Sequence, residues 1–173
     1  MKDLPDTDPI AELRACAAEP FERARAMPPG VYTSEAVRAA ELDRIFRREW
    51  IAIGRSGSLA EPGDYAATEI AGQPVAVVRD RDGRLRAFSN VCLHRMSTLL
   101  EGRGRTRAIV CPYHAWTYNL DGSLRGAPAM TLNAAFDRAD YRLPELNCDE
   151  WLGFVFVTLD PDAPPLADRL AEA

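Results

Sequence analysis

Two short segments of the chain each carry one thiol and one imidazole. Cys92 and His94 lie in Asn-Val-Cys-Leu-His-Arg, and Cys111 and His114 lie in Cys-Pro-Tyr-His-Ala-Trp. A cysteine and a histidine two or three residues apart in a loop can turn both side chains toward one point. Two such loops supply two sulfur and two nitrogen ligands. This donor set suits either a tetrahedral zinc ion or a [2Fe–2S] cluster in which two histidines replace two cysteines on one iron.

The order of the four residues along the chain separates these two possibilities. A zinc finger usually groups its cysteines in one half and its histidines in the other, with a helix between them. Here each half contains one of each, and the spacer reads as a hairpin with Gly102 and Gly104. The order favours the cluster, and a structural zinc site stays open as the alternative.

With these segments the sequence resembles the Rieske non-haem iron oxygenases, specifically the N-terminal part of their alpha subunit. The family pattern is Cys-x-His, a spacer of about sixteen residues and Cys-x-x-His, and sixteen residues separate His94 from Cys111 here. The resemblance extends over about residues 30 to 168. The other matching residues are Asn90-Val91, Cys-Pro-Tyr-His, Trp-Thr-Tyr, Phe46, Trp50, Pro62-Gly63-Asp64-Tyr65 and Gly72.

The resemblance implies a role for each of the four residues. Cys92 and Cys111 would bind one iron of a Rieske-type [2Fe–2S] cluster through sulfur. His94 and His114 would bind the other iron through ring nitrogen. That second iron lies nearer the surface and is the redox-active one.

The resemblance also implies a function. In these oxygenases the Rieske domain takes electrons from a ferredoxin or flavin reductase. It passes them to a mononuclear iron in the catalytic domain of the same or a neighbouring subunit, in a homotrimer or an α3β3 assembly. That iron needs two histidines and a carboxylate, but His94 and His114 are the only histidines here. We therefore expect the electron-transfer domain of an aromatic-ring-hydroxylating or related oxygenase, an O2-dependent oxidoreductase, with its mononuclear Fe(II) and its catalytic residues outside this chain.

The alternative is a self-standing Rieske-type ferredoxin that carries electrons and has no catalytic domain. Such carriers usually start close to their first strand, whereas about 47 residues with two predicted helices precede it here. This N-terminal segment favours the oxygenase.

Two positions depart from the family pattern. Met96 and Ala115 stand where the family commonly has glycine, which puts the backbone geometry near Met96 in doubt. The respiratory type of Rieske protein has two further cysteines and a serine in its loops, where this chain has Ser97, Tyr113 and Trp116. Hydrogen bonds to sulfur favour the more negative reduced cluster. With the serine donor absent, we expect a reduction potential near the lower end of the roughly −150 to +300 mV span of Rieske centres.

Several other residues have a chemical and a plainer interpretation. Tyr118 could donate one hydrogen bond to a ligand sulfur, and Trp116 and Tyr113 could shield the cluster or only fill space. Cys16 and Cys148 have no neighbours of ligand type, so we expect them to be small buried hydrophobes. An arginine series in the spacer could steer an acidic ferredoxin or reductase, although solvated loop charge is the simpler interpretation. The series comprises Arg103, Arg105 and Arg107.

The elements that must position the site are mainly β. Antiparallel sheets with two cluster-binding loops are expected after two short N-terminal helices. The first helix starts at the Asp8-Pro9 cap and stops by Pro20, and the second runs from Ser34 to about Arg48 after a break at Met27-Pro-Pro-Gly30. The predicted strands lie near Trp50–Gly54, Tyr65–Ile70, Val75–Arg79, Leu85–Asn90, Ala108–Val110, Trp116–Asn119, Ser123–Arg125 and Phe154–Leu159.

We divide the chain into a helical segment over residues 1–47, a Rieske domain over 48–160 and a linker over 161–173 toward an absent catalytic domain. The linker contains Pro161, Pro164 and Pro165 and ends in a short helical stub at Leu166–Ala173. With 173 residues the chain is long enough to bury one hydrophobic core of ordinary size.

Composition excludes some classes of function. A net charge of −5 argues against nucleic-acid binding, which needs a basic face. No stretch approaches the roughly 20 apolar residues that span a bilayer. Met1–Thr7 lacks the pattern of a signal peptide. We expect a cytoplasmic protein.

Overall fold

The computed structural model describes residues 8–171, so Met1–Thr7 and the end of the predicted stub lie outside the described residues. The chain divides into two compact units, Met1–Ile45 and Phe46–Ala173. The first is helical and the second is a β unit that contains all four candidate ligands.

The first described helix begins at the predicted cap. Asp8 Oδ1 accepts a hydrogen bond of 3.0 Å from the backbone N–H of Ile10, and Pro9 occupies the first helical turn of α1 (Pro9–Ala17). A single 3-10 turn follows at Phe21–Arg23.

The break predicted at residues 27–30 is confirmed in part, since residues 24–28 are not helical but α2 (Pro29–Thr33) begins inside the predicted range. A proline in the first helical turn forms no clash and needs no N–H partner, so it starts a helix as readily as it ends one. The Ser34 hydroxyl caps α3 (Glu35–Glu41), as predicted. The helix then continues as a π-helical turn, Leu42–Phe46, and ends two residues before the predicted Arg48.

The β unit contains ten strands in the part of the chain that the structure describes, and every paired neighbour is antiparallel. Seven form one sheet in the order β1-β10-β9-β4-β3-β2-β5, and three form a small sheet in the order β6-β7-β8. The strands are β1 (Ile51–Arg55), β2 (Asp64–Ile70), β3 (Gln73–Arg79), β4 (Leu85–Ser89), β5 (Arg103–Arg105), β6 (Ile109–Val110), β7 (Thr117–Tyr118), β8 (Leu124–Gly126), β9 (Glu145–Trp151) and β10 (Phe154–Thr158).

The mainly β fold and the eight predicted strands are confirmed. Two strands, β5 and β9, were not predicted. Among the described residues, no helix is long and apolar enough to cross a membrane.

Two hydrophobic clusters fill the β unit, and β3 separates them. Successive side chains of a strand point to opposite faces, so Val75 and Val77 enter one cluster while Ala76 and Val78 enter the other. The second cluster also contains both candidate ligand cysteines. The two candidate ligand cysteines therefore lie on a packed face of the sheet.

The segment after β10 is fastened to the β unit. The indole N–H of Trp50 donates a 2.9 Å hydrogen bond to the carbonyl of Pro164, and Arg169 pairs with Glu49. Leu166, the first residue of α4 (Leu166–Leu170), is buried.

Candidate metal centre

Two loops bring the four candidate ligands together. The first loop, residues 91–97, follows β4, and the second loop, residues 111–116, joins β6 to β7. In the first loop the N–H of Cys92 donates to the carbonyl of Ser97 (2.8 Å) and the N–H of Met96 donates to the carbonyl of Cys92 (3.0 Å).

The second loop repeats this pattern. The N–H of Cys111 donates to the carbonyl of Trp116 at 2.8 Å, and the N–H of Ala115 donates to the carbonyl of Cys111 at 3.0 Å. Each loop is therefore closed by the same two hydrogen bonds, counted from its cysteine, although its histidine lies at a different offset.

The two departures from the family pattern fall at equivalent points of the loops. Met96 has φ of 54° and Ala115 has φ of 58°, so both adopt the left-handed conformation that glycine favours. The turn keeps this geometry despite the added Cβ atoms. The doubt about the backbone near Met96 is thereby resolved, at the cost of local strain.

Both loop cysteines are buried free thiols, with Cys92 0% and Cys111 3% exposed. Burial alone would raise the pKa of the Cys111 thiol. Hydrogen bonds from the backbone N–H groups of Tyr113 and His114, together with those of the Cys92 and Ser97 side chains, outweigh burial, so the net pKa is lowered. A lowered pKa favours the thiolate, the form that binds metals.

Tyr118 supplies a hydroxyl to the other cysteine. Its oxygen lies 3.5 Å from Cys92 Sγ and accepts a 3.1 Å hydrogen bond from the N–H of Leu93. With that N–H already directed at the oxygen, the phenol proton is available to the sulfur. Burial, and next the hydrogen bond to Cys92, raise the pKa of Tyr118, so the phenol keeps its proton.

The two histidines form the outer part of the site. Their ring centroids are 4.9 Å apart and the planes meet at 68°. Burial lowers the pKa of His94, and the neighbouring His114 and Arg95 lower it further, which favours the neutral ring that can act as a ligand. Nδ1 of His94 is buried and has no hydrogen-bond partner within the described residues.

The donor set fits a two-iron cluster. The thiols of Cys92 and Cys111 form one pair, close enough for one to lower the pKa of the other, and the two imidazoles form a second pair. Across residues 8–171, no group of three or more His, Cys, Asp or Glu side chains is arranged to hold a metal ion. A buried ring nitrogen without a partner is costly, and a metal bond would satisfy Nδ1 of His94.

Aromatic residues surround the imidazoles unequally. Trp116, which is 2% exposed, stacks on His94 with centroids 5.0 Å apart and planes within 7°. The ring centroids of Tyr113 and His114 are 3.8 Å apart and the ring planes meet at 30°. Tyr113 is 58% exposed. One histidine is therefore half-buried against the indole, and the other is exposed.

Sequence reasoning missed the residues that support Trp116. Phe136 and Tyr141 contact the indole edge to face, with centroids 5.7 and 5.4 Å away. They lie 20 and 25 residues after Trp116 in an irregular segment without a motif, so no local signal marks them.

The remaining candidates lie outside the centre. Cys16 and Cys148 are half-buried rather than buried as expected. Burial raises the pKa of Cys148 to about 12, which keeps it a neutral thiol. Arg103 and Arg105 lie on β5, not in a loop, and Arg105 pairs with Asp64 at 2.7 Å.

Comparison with known proteins identifies the fold. A family model described as the Rieske [2Fe-2S] domain matches residues 49–137. The carnitine monooxygenase oxygenase subunit of Acinetobacter pittii is 39% identical over 146 residues, which cover 84% of this chain and 39% of the relative. The glycine betaine monooxygenase oxygenase subunit of Chromohalobacter salexigens is 34% identical over 168 residues, covering 95% of this chain and 38% of the relative.

Solved structures give the same class. A quaternary ammonium Rieske monooxygenase in complex with L-carnitine superposes with a TM-score of 0.77 at 40% identity, over 83% of this chain and 41% of that one. Naphthalene 1,2-dioxygenase from a Rhodococcus species superposes with a TM-score of 0.80 at 29% identity, over 92% of this chain and 36% of that one.

The architecture and the centre are thus those of a Rieske [2Fe–2S] protein. Within that class the chain belongs to the Rieske oxygenases, as the Rieske domain of the alpha, or oxygenase, subunit. The predicted family and the predicted cofactor are confirmed. The chain spans about two fifths of the length of these relatives.

Proposed function

We propose that Cys92, His94, Cys111 and His114 are the cluster ligands. The observation that carries this proposal is the convergence of two loops with matching hydrogen bonds. They bring together two buried thiols, one with a lowered pKa, and two imidazoles, one with an unpartnered buried nitrogen. When bound, the cluster supplies reversible one-electron chemistry.

In this proposal the domain relays single electrons from a ferredoxin or flavin reductase to a mononuclear iron outside the chain. The protein residues divide the work. Cys92 and Cys111 anchor one end of the site in the core, away from water. His114 lies exposed at the other end, beside the exposed side chain of Tyr113, where a partner protein can approach.

The acceptor in this proposal is the catalytic domain of the same or a neighbouring subunit, and the whole assembly is a homotrimer or α3β3. The names of the relatives support an oxygenase over a self-standing ferredoxin, because they are oxygenase subunits. A cytoplasmic location stays a prediction from the sequence. So does the division into a helical segment (1–47), the Rieske domain (48–160) and a linker (161–173).

The substrate class of the whole protein is a separate proposal. Relatives that act on aromatic rings and on quaternary amines both match, so ring hydroxylation is no longer the preferred assignment. Identity is 40% to the quaternary ammonium monooxygenase structure and 29–32% to the naphthalene dioxygenases. We therefore favour a quaternary ammonium compound and a monooxygenase reaction.

Iron and sulfide analysis with EPR of the reduced protein tests the ligand assignment. We expect two irons and two labile sulfides per chain and a Rieske-type signal. A colourless protein with one zinc per chain would contradict the proposal. A potentiometric titration then tests the expected low potential, and a midpoint in the upper half of the roughly −150 to +300 mV range would overturn it.

A further inference from the structure

Trp116 is attached to one loop and packs on the other. Its backbone carbonyl accepts the hydrogen bond that closes the second loop at Cys111, while its indole lies flat against His94 of the first loop. The two rings are close to parallel, at 7°, with centroids 5.0 Å apart. The side chain therefore links the two halves of the centre directly.

The indole itself has little freedom to move. It is 2% exposed, and Phe136 and Tyr141 press on it edge to face while contacting each other at 4.9 Å. Aromatic contacts of this kind are each worth about 0.5–1.5 kcal/mol beyond the area they bury. His94 thus packs against an indole whose position is fixed by two further aromatic rings.

Nδ1 of His94 makes no hydrogen bond within the described residues, which leaves this atom to bind the iron. The other histidine is different, because its aromatic neighbour Tyr113 is tilted by 30° and is mostly exposed. Only one of the two imidazoles therefore lies against a fixed, parallel ring.

We propose that Trp116 is the positioning residue for His94. Its indole face sets the plane of the imidazole, and this contact holds Nδ1 in place for the iron. The inference rests on the proposed ligand role of His94 and adds a residue that is not itself a ligand.

The test compares Trp116→Leu, which removes the flat ring, with Trp116→Phe, which keeps one. Tyr113→Leu is the matched control on the other histidine. Pulsed EPR of the reduced, cluster-loaded proteins reports the two nitrogen hyperfine couplings separately. We expect Trp116→Leu to alter one coupling and leave the other, and Trp116→Phe to restore both to near the wild-type values.

A second readout is the rate at which a chelator removes iron. Loss should be about tenfold faster in Trp116→Leu, as for other residues that orient a metal ligand. It should stay within about twofold of wild type in Trp116→Phe and Tyr113→Leu. If Trp116→Leu does not take up the cluster, Phe136→Leu replaces it, because it keeps the indole and removes its support. That variant should alter the same coupling to a smaller extent.

Unchanged couplings in Trp116→Leu or its replacement would overturn the positioning role and leave the ligand assignment intact. Equal changes in both couplings, or a Trp116→Phe variant as altered as Trp116→Leu, would overturn it too. A wild-type protein without a Rieske signal would overturn both the proposed function and this inference.

Discussion

The first loop, residues 91–97, and the second loop, residues 111–116, have the same backbone conformation around the cysteine but differ in their surroundings. Each is closed by the same two hydrogen bonds and passes through one left-handed residue. In the first loop the histidine is half-buried under Trp116, whereas in the second loop His114 is exposed.

The shared turn around the cysteine and the unequal burial of the two histidines serve different needs. Both loops present a buried cysteine, and the turn around each cysteine is closed by hydrogen bonds in the same way. An electron relay also needs one end held rigidly and one end open to a partner. The difference between His94 and His114 meets that second need. Substitutions in each loop can separate the shared feature from the different one.

The largest effect is expected from the cysteines. Cys92→Ser and Cys111→Ser should each abolish cluster binding, because serine is a poor substitute for the soft thiolate ligand. Cys148→Ser is the control, since this neutral thiol lies outside the centre, and it should keep full iron content. Iron analysis and visible absorption measure the result. Full cluster content in either loop variant would show that its loop contributes no sulfur ligand.

The next effect concerns the hairpin that leads into the first loop. Asp80, buried in the β3–β4 turn, accepts hydrogen bonds from the N–H groups of Asp82 and Arg84 and pairs with Arg86 at 2.7 Å. Burial opposes its ionisation, but these partners outweigh burial and lower the pKa. Asp80→Asn should cost about 2 kcal/mol of unfolding free energy at neutral pH.

The pH dependence follows from the direction of the shift. A carboxylate with a lowered pKa stabilises the fold fully above its unfolded pKa of about 3.9, and this contribution is lost as the pH falls through the folded value. The difference between wild type and Asp80→Asn should therefore shrink in acid. Denaturation at a series of pH values measures it, with the exposed Asp82→Asn as control. A difference independent of pH would rule out this explanation.

A smaller effect is expected from the hydroxyl groups next to the two cysteine sulfurs, one for each loop cysteine. Tyr118→Phe removes the hydroxyl that lies 3.5 Å from Cys92 Sγ. Loss of a typical hydrogen bond, about 0.5–1.5 kcal/mol, should lower the reduction potential by about 20–60 mV for one electron. Ser97→Ala removes the hydroxyl beside Cys111 and should shift the potential in the same direction. Potentiometric titration would contradict this account if either variant rose in potential.

The smallest effect tests whether the two loops have the same strained backbone conformation. Met96→Gly and Ala115→Gly should each raise the unfolding free energy by about 0.5–1 kcal/mol, because relief of left-handed strain exceeds the entropic cost of glycine. Met96 is 70% exposed, so little packing is lost, and Met96→Ala, which keeps the strain, is the control. Chemical denaturation measures both. If only one of the two glycine variants were more stable than wild type, the two loops would not be equivalent.

The sequence predicts most of this architecture for identifiable reasons. The four candidate ligands lie in two short motifs, so local spacing is enough to find them. Strands such as β3 and β10 are runs of β-branched and aromatic residues, which read as strands without tertiary information. Turn residues such as Asp82-Gly83 mark where the strands end.

The missed elements depend on distant partners. β9, with the sequence ELNCDEW, is rich in residues with low strand propensity and is held extended by pairing with β10 and β4. β5, with the sequence RGR, is an exposed edge strand fixed by β2 and by the ion pair of Arg105. The support of Trp116 by Phe136 and Tyr141 is likewise a tertiary contact that no local pattern contains.

The hydrogen bonds that close the two loops have a further consequence for cluster assembly. In small zinc domains the metal itself orders the chain, so its binding energy is spent on folding. Here each turn around a cysteine has two backbone hydrogen bonds of its own. These bonds join protein groups only, so the protein's own contacts offset part of the conformational entropy that ordering each loop costs, and the metal need not supply all of it.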